Sequence, residues 1–297
     1  MISVHLGLSY KCNMNCNHCY VKEKEKTGNS FHPDQFDYLL LKLKQLGAFS
    51  ITYTMGEVLL YPHFLQFAGK AHELSFYQIL LSNGSLLQTS EDIKQLVDVG
   101  IKRVGISIDN SCENIHDKNR SYVGAYKKAL RAISLLSAYP GIDVQILSTI
   151  SNENLRDVDH ILQLGSDMNV KNFSFLWIRK DGMIVPVTDY DLYSKTMQRL
   201  IEAHAKRQYH IHIHDYRVNQ ILEEMYQNGS INNEIYRELL SMNHCHSSEE
   251  MVLITPSGDM FSCNFAQKPF ANIFTDDLET IKRTAIIYKA SCTDAKK

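Results

Sequence analysis

Long apolar runs, an excess of basic charge and a signal-like start are all missing from this 297-residue sequence. No apolar run approaches the ~20 residues that a membrane-spanning helix needs, so we expect no membrane partner. The 31 basic side chains are balanced by 33 acidic ones, which leaves nothing to neutralise a phosphate backbone and argues against a nucleic-acid partner. The first residues, Met1 to His5, lack the charged start and apolar core of a secretion signal. The sequence therefore predicts a cytoplasmic protein.

Low-complexity tracts and long flexible linkers are also missing, and 44% hydrophobic residues suffice to bury a full core. Cysteine, in contrast, is frequent. A reducing compartment disfavours structural disulfides, so clustered cysteines in such a chain indicate metal binding or catalysis. The seven are Cys12, Cys16, Cys19, Cys112, Cys245, Cys263 and Cys292.

Strand-like and helix-like segments alternate in the first part of the chain. The predicted strands are a first one through Val4, Leu6 and Leu8, then 49–55, 77–82, 103–108, 143–150 and 172–178. Amphipathic helices are predicted between them at 35–46, 91–98, 124–137 and 154–164. This alternation predicts βα units and an α/β fold with a parallel sheet, here a partial (β/α)6 barrel.

The pattern changes after about residue 186. We expect the barrel over 1–186, a helical connecting segment over 187–240 and a small C-terminal module over 241–297. In that module, turn residues at 256–259 within 250–263 predict a β-hairpin, and a helix follows at 276–287. Because the first strand lies so close to residue 1, we expect no leader-peptide-binding domain ahead of the barrel.

Alternating histidines at His210, His212 and His214 could line one strand face and bind a metal. A polar face on an edge strand is the favoured interpretation.

Three cysteines follow the first predicted strand directly, at Cys12, Cys16 and Cys19. They lie on a loop at the strand's C-terminal end, which is the face where parallel barrels carry their active sites. Three thiolates on one short loop can each bind one iron of a cubane, which leaves the fourth iron open for a small molecule. A zinc knuckle is the alternative, although a structural zinc site normally has a fourth nearby ligand.

The C-x3-C-x2-C spacing with an aromatic residue behind it, Tyr20, resembles the signature of the radical S-adenosylmethionine (SAM) superfamily. The resemblance implies a catalytic [4Fe-4S] cluster that binds SAM through its open iron. One-electron reduction then releases a 5′-deoxyadenosyl radical, which abstracts a substrate hydrogen. It also implies a reductant partner such as flavodoxin or ferredoxin.

Four runs at later strand ends are similar to other motifs of that family. Met55-Gly56-Glu57-Val58 resembles G-G-E-P with both flanks changed, Ser82-Asn83-Gly84 resembles T-N-G, Ser107-Ile108-Asp109-Asn110 resembles S-L-D-G, and His116-Asp117 with Arg120 resembles H-D-x-x-R. The resemblance implies that Glu57 accepts hydrogen bonds from the SAM ammonium and that Ser107 and Arg120 suit its ribose and carboxylate. The cofactor-binding residues so implied are Tyr20, Gly56, Glu57, Ser82, Asn83, Ser107, Asp109, Arg120, Ser148 and Asn152.

The last three cysteines, Cys245, Cys263 and Cys292, surround the predicted hairpin and the helix after it. This pattern is similar to a shortened twitch form of the SPASM extension and implies an auxiliary [4Fe-4S] cluster. Its fourth ligand stays open among His244, His246, an acidic residue, the substrate and water. Three buried, inert thiols are the alternative.

Cys112 fits neither cluster pattern and is predicted near the mouth of the barrel. It is a candidate catalytic residue that returns a hydrogen atom to a substrate radical, as family epimerases require. A surface or packed thiol is the alternative interpretation.

Relatives in the twitch/SPASM subgroup modify ribosomal peptides, mature sulfatases, or oxidise and epimerise aminoglycoside-type sugars. The predicted function is therefore that of a radical SAM oxidoreductase or epimerase-type enzyme acting on a ribosomally made peptide, by epimerisation or crosslinking. Alternatives are a radical SAM dehydrogenase or epimerase of an aminoglycoside-type sugar and a non-catalytic iron–sulfur carrier or redox sensor. A carrier needs no cofactor contacts, so Glu57, Ser107 and Arg120 at strand ends argue against it.

Overall fold

The computed structural model describes residues 2–19, 21, 30–180, 183–243, 251–264 and 266–285. The strands are β1 (Ile2–Gly7), β2 (Ala48–Thr54), β3 (Tyr77–Ser82), β4 (Ile101–Ser107), β5 (Asp143–Ile150), β6 (Asn172–Trp177), β7 (Arg179–Lys180), β8 (Met183–Ile184), β9 (His210–His214), β10 (Met251–Ile254), β11 (Asp259–Phe261) and β12 (Ala271–Asn272). The helices are α1 (Phe36–Gln45), α2 (Phe64–Glu73), α3 (Ser90–Asp98), α4 (Glu113–Arg120), α5 (Ala125–Ser137), α6 (Val158–Asp167), α7 (Tyr190–Ala205), α8 (Val218–Gln227) and α9 (Asn233–Asn243). Short 3-10 helices span Pro33–Gln35, Val58–Leu60 and Leu155–Asp157, and residues 278–285 are helical.

The central sheet follows the order β12-β11-β10-β1-β2-β3-β4-β5-β6-β9. Strands β1 to β6 pair in parallel with their sequence neighbours, as the alternating pattern predicts. The expectation of an α/β fold with a parallel sheet is confirmed. Two further parallel strands extend it, because β9 pairs with β6 and β10 pairs with β1.

The C-terminal hairpin continues the barrel sheet. Val252 of β10 pairs with Val4, and Ile254 pairs with Leu6, so the hairpin joins the β1 edge. β11 and β12 then extend the sheet in antiparallel fashion. The domain boundaries remain predictions, but the hairpin shares its hydrogen bonding with the barrel.

Strand alternation gives the sheet two different faces. In β5 every second side chain is buried, and residues such as Val144 and Ile146 belong to the apolar core that also contains side chains of the helices. The intervening side chains, among them Thr149, are half-buried. The same alternation places Ser107 on one side with Asp109, just beyond β4, so polar groups meet at the carboxyl ends of the strands.

The histidine strand β9 is an edge strand with Ile211 and Ile213 buried. His214 lies 2.8 Å from the hydroxyl of Ser174, measured from Nε2 to Oγ. This placement agrees with the favoured interpretation of a polar face on an edge strand. No helix within the described ranges has both the length and the apolar character needed to cross a membrane.

Candidate active site

The cysteine loop leaves β1 and lies over the carboxyl ends of the strands. Cys16 is buried, and Cys12 and Cys19 are half-buried. All three border one cavity, whose lining residues are Tyr10, Cys12, Met14, Asn15, Cys16, Cys19, Val21 and Gly56. Among the described residues, no group of three or more His, Cys, Asp or Glu side chains is arranged to hold a single metal ion, so the fit to a larger cluster depends on the three thiols around the cavity. Tyr20, predicted to contact the cofactor, lies outside the described residues.

Asparagines in the loop fix its position against β3 and α4. Asn13 donates to Ser85 Oγ over 2.8 Å and accepts from Asn83 Nδ2 over 2.9 Å. The backbone N–H of Asn17 donates to the carbonyl of Asn119 over 2.9 Å. Sequence reasoning missed these contacts because their partners lie 70 or more residues away along the chain.

Gly56 brings the β2 end into contact with the cysteine loop. Its φ is +58°, and a Cβ placed there would lie 2.3 Å from the carbonyl oxygen of Lys11. The next residue, Glu57, donates its backbone N–H to that same oxygen over 2.8 Å. Only glycine fits so close a backbone approach in a left-handed conformation.

Met55 occupies a position where the family motif has glycine, and its φ is +66°. A left-handed conformation costs a side-chain-bearing residue roughly 1–2 kcal/mol. The Met55 side chain is buried and packs with Tyr10, Leu253 and Phe261. This packing offsets the backbone cost and joins the β2 end to the C-terminal hairpin.

Glu57 is buried, with 1% of its surface exposed, and three groups donate to its carboxylate. Oε1 accepts from Ser82 Oγ over 3.0 Å, Oε2 accepts from the backbone N–H of Asn83 over 2.8 Å, and Leu59 N is 3.4 Å from Oε1. Burial raises the pKa of Glu57, and these donors lower it in part. Ser82 and Asn83 therefore orient Glu57 here. An ionised carboxylate has about four acceptor positions, so one remains for a ligand.

Asp109 and Arg120 form a buried ion pair, with Nη2 2.7 Å from Oδ2. Burial alone would raise the pKa of Asp109, but the charge of Arg120 lowers it below its ordinary value. Arg120 Nη1 also lies 3.8 Å from Cys16 Sγ. Within the described part of the chain, the buried Nε of Arg120 has no hydrogen-bond acceptor. An anionic ligand bound beside the guanidinium would supply one.

Two histidines border this ion pair, and neither is among the cofactor-binding residues that the sequence predicts. His18 Nε2 lies 3.6 Å from Asp109 Oδ2, and His116 Nδ1 accepts the backbone N–H of Asp109 over 3.2 Å. Burial lowers the pKa of His116 to about 4, and Arg120 acts in the same direction. The C-x2-C interval and the H-D-x-x-R run were the signals that could have identified them.

Three other predicted cofactor-binding residues are Ser107, Ser148 and Asn152, and two of them bond to the backbone of the protein. Ser107 is half-buried at the end of β4. Ser148 donates its hydroxyl to the carbonyl of Ile108 over 2.5 Å. Asn152 bonds instead to the backbone of Pro186 and Thr188. The structure brings neither Ser148 nor Asn152 into the cavity with the thiols, and their cofactor roles remain predictions.

Asn154, which sequence reasoning missed, lies two residues beyond Asn152 and has a structural role. Its side-chain amide donates to the carbonyls of Asp109 and Thr149 over 2.7 and 2.8 Å. It thereby ties the β4 end to the β5 end.

The three thiols can hold an iron–sulfur cluster, because cysteine sulfurs are the usual protein ligands of such clusters. Burial raises the pKa of Cys12 to about 11 and also raises that of Cys16. Iron binds thiolate, so ligation must displace these protons. Three sulfurs around one cavity, with the orphaned Arg120 Nε and the Gly56 backbone nearby, fit a cubane with one iron open to SAM.

The other cysteines are only partly described. Cys263 follows β11 and is half-buried, while Cys245 and Cys292 lie outside the described residues. Cys112 is exposed at the N-cap of α4, and its backbone N–H donates to Asn110 Oδ1 over 2.9 Å. Its predicted catalytic role remains a prediction.

Comparison with known proteins identifies the class. A sequence profile of the radical SAM superfamily matches residues 7–165. The bacteriocin subtilosin biosynthesis protein AlbA of Bacillus subtilis is 24% identical over 289 residues, which cover 95% of this chain and 59% of AlbA. The Fe-coproporphyrin III synthase of Methanosarcina barkeri is 24% identical over 295 residues, which cover 91% of this chain and 72% of that protein.

Among solved structures, Streptococcus suis SuiB bound to the precursor peptide SuiA matches with a TM-score of 0.75 at 14% identity. The match covers 95% of this chain and 64% of SuiB. The chain thus spans about three fifths of the length of AlbA and of SuiB. At this identity the SuiB match shows the fold alone.

The profile match covers more than half of the chain, and the fold and the cysteine loop agree with it. The chain belongs to the radical SAM superfamily, whose enzymes use a [4Fe-4S] cluster and SAM. The relatives also support the twitch/SPASM-type subgroup that the C-terminal cysteines predict.

Proposed function

We propose that this chain is a radical SAM enzyme that abstracts a hydrogen from a ribosomally made peptide, with epimerisation or crosslinking as the outcome. The observation that carries the proposal is the similarity to AlbA over 95% of the chain, since that protein's name assigns it to the biosynthesis of a bacteriocin. The chain matches only 59% of AlbA, so substrate and reaction are both part of the proposal.

In this proposal Cys12, Cys16 and Cys19 hold the cluster. Glu57 and the orphaned Nε of Arg120 hold the ammonium and carboxylate groups of SAM. Together the two cofactors supply one-electron cleavage of the sulfonium and abstraction of a substrate hydrogen. A flavodoxin or ferredoxin donates the electron.

The chain's own residues orient the cofactors and limit water. Ser82 and Asn83 fix both oxygens of Glu57, so it needs little reorganisation when it binds an ammonium group. Tyr10, Met14 and Val21 form the apolar part of the cavity around the thiols. An apolar lining limits the access of water to the reacting groups.

Incubation of the reconstituted protein with dithionite, SAM and candidate precursor peptides under anaerobic conditions tests the proposal. We expect 5′-deoxyadenosine and a modified peptide. A crosslink removes two hydrogen atoms from the peptide mass, whereas epimerisation leaves the mass unchanged and adds one deuterium when the reaction runs in deuterated water. Peptides that stay unmodified while SAM is cleaved would count against a peptide substrate.

An iron tetrapyrrole is the second candidate substrate, because the match to Fe-coproporphyrin III synthase covers 72% of that protein. The name of that relative makes iron coproporphyrin III its product, so a parallel incubation with an iron tetrapyrrole that carries additional acid side chains separates the two candidates. Under the peptide proposal, the absorption spectrum and mass of this tetrapyrrole stay unchanged and no iron coproporphyrin III forms.

We also propose that Cys245, Cys263 and Cys292 bind an auxiliary [4Fe-4S] cluster. The twitch/SPASM-type relatives support it, and Cys263 lies at the end of β11 as the hairpin pattern requires. A variant with Ala at positions 12, 16 and 19 should retain iron and sulfide after reconstitution. A folded but iron-free variant would contradict a second cluster.

A further inference from the structure

Arg120 connects a rigid point of the barrel to a sulfur of the cysteine loop. It is the last residue of α4, with 8% of its surface exposed. One guanidinium nitrogen, Nη2, lies 2.7 Å from Asp109 Oδ2, and the other, Nη1, lies 3.8 Å from Cys16 Sγ. We infer that Arg120 is a positioning residue that donates a hydrogen bond to the Cys16 sulfur and raises the reduction potential of the cluster. This inference rests on the proposed cluster and goes beyond the proposed contact with SAM.

The Asp109 side of the link is fixed by the barrel. The Asp109 carboxylate follows β4, and its Oδ1 accepts the backbone N–H of Thr149 over 3.0 Å. Asn154 donates to the carbonyl of Asp109 over 2.7 Å. Both contacts come from β5 or from the turn after it, so the acceptor that orients the guanidinium cannot shift with the cysteine loop.

The Cys16 side is fixed by the end of the same helix. The backbone N–H of Asn15 donates to the carbonyl of Arg120 over 3.3 Å, and that of Asn17 donates to Asn119 over 2.9 Å. These two bonds flank Cys16 on both sides. The sulfur and the guanidinium therefore share one local framework, and the distance between them is set by backbone contacts.

The expected effect follows from charge. Reduction adds one electron to the cluster, and a hydrogen bond to a ligand sulfur stabilises the more negative state. A buried guanidinium acts more strongly than an exposed cation because the surrounding dielectric is low. Asp109 stabilises the buried charge but leaves Nη1 directed at Cys16, so removing the guanidinium should make the cluster harder to reduce.

The test is an anaerobic redox titration of the reconstituted 297-residue chain, followed by electron paramagnetic resonance without SAM or substrate. Because SAM is absent, a contact between Arg120 and the SAM carboxylate cannot affect the measured potential. We expect a more negative midpoint potential for Arg120→Gln and an intermediate value for Arg120→Lys, which retains the charge but loses the two-pronged geometry. Lys118→Gln is the matched control, since it removes an exposed cation from the same helix.

An unchanged midpoint in Arg120→Gln, or an equal shift in Lys118→Gln, would overturn the inference. If Arg120→Gln does not take up iron, Arg120→Lys decides, and a wild-type midpoint there overturns the inference in the same way. A wild-type chain that holds no cluster would instead contradict the proposed function. The two failures are therefore distinguishable.

Discussion

Asn83 donates its backbone N–H to Glu57 Oε2 over 2.8 Å, which joins the ends of two neighbouring strands through a buried carboxylate. This bond orients the residue that we propose binds the SAM ammonium. Glu57→Ala removes a charge-assisted hydrogen bond to the cofactor, worth roughly 1.5–3 kcal/mol, and should weaken SAM binding by about one to two decades. Isothermal titration calorimetry of the reconstituted protein with SAM measures this affinity.

Glu57→Gln is the control for that experiment because it preserves the shape and one acceptor oxygen while removing the charge. We expect its affinity for SAM to fall between the wild type and Glu57→Ala, with iron content unchanged in both. Wild-type affinity in Glu57→Ala would place the ammonium contact elsewhere.

Gly56 should tolerate no side chain. In Gly56→Ala the new Cβ meets the Lys11 carbonyl, so the cysteine loop and the β2 end must move apart. A displacement of about 1 Å near reacting groups can cost about a hundredfold in rate, and we expect a loss of that order in 5′-deoxyadenosine formation.

Gly124→Ala is the matched comparison for Gly56→Ala. Gly124 also has a positive φ, +82°, but an added Cβ there would meet no atom within 4 Å. It should therefore cost only the roughly 1–2 kcal/mol of the left-handed conformation and leave SAM cleavage near the wild-type rate. Equal losses in the two variants would show that the close approach of Gly56 is unimportant.

His116 should make stability depend on pH. Its pKa is lowered from 6.5 to about 4 by burial, so the unfolded chain binds more protons between those values. Stability is then fully present above about pH 6.5 and falls as the pH drops toward 4, by roughly 3 kcal/mol at most. In His116→Asn, the side-chain carbonyl oxygen can accept the backbone N–H of Asp109, and the amide does not titrate.

Urea unfolding at about pH 7 and about pH 5 checks this expectation. His116→Asn should lose less of its free energy of unfolding between the two pH values than the wild type does. His63→Asn, at an exposed position, serves as the control and should behave like the wild type. Identical pH dependence in all three proteins would remove His116 as the cause.

Cys112→Ala tests the hydrogen-donor role. If the reaction is an epimerisation and Cys112 returns the hydrogen, the variant should still form 5′-deoxyadenosine but yield no epimer. The exposed thiol is accessible to a substrate at the protein surface. Full product yield in the variant would eliminate the role and favour an oxidative or crosslinking reaction.

Much of the barrel was predictable because its signals are local. Period-two burial in β5 and apolar periodicity in α5 both follow from patterns within a dozen residues. The pairing of β10 with β1 was not predictable, since it joins segments about 250 residues apart and no local pattern specifies a partner. The helix α2 was also absent from the predicted elements.

The candidate site also has some features that local sequence patterns predict and others that they do not. The spacing of Cys12, Cys16 and Cys19 predicts three cluster ligands on one loop; in the structure the three thiols border one cavity, and their role as ligands stays a prediction. The contact between Arg120 and Cys16 spans 104 residues and depends on how α4 ends against the loop. Sequence motifs identify the residue types near a cofactor, whereas packing decides which side chain contacts which partner.

The most direct test of the account is 5′-deoxyadenosine formation by the wild type and by the variant with Ala at positions 12, 16 and 19. Both are reconstituted anaerobically and incubated with dithionite and SAM. The account predicts that the wild type forms 5′-deoxyadenosine, and that the variant lacks about one cubane's iron and forms none. Equal formation by the two proteins would contradict it.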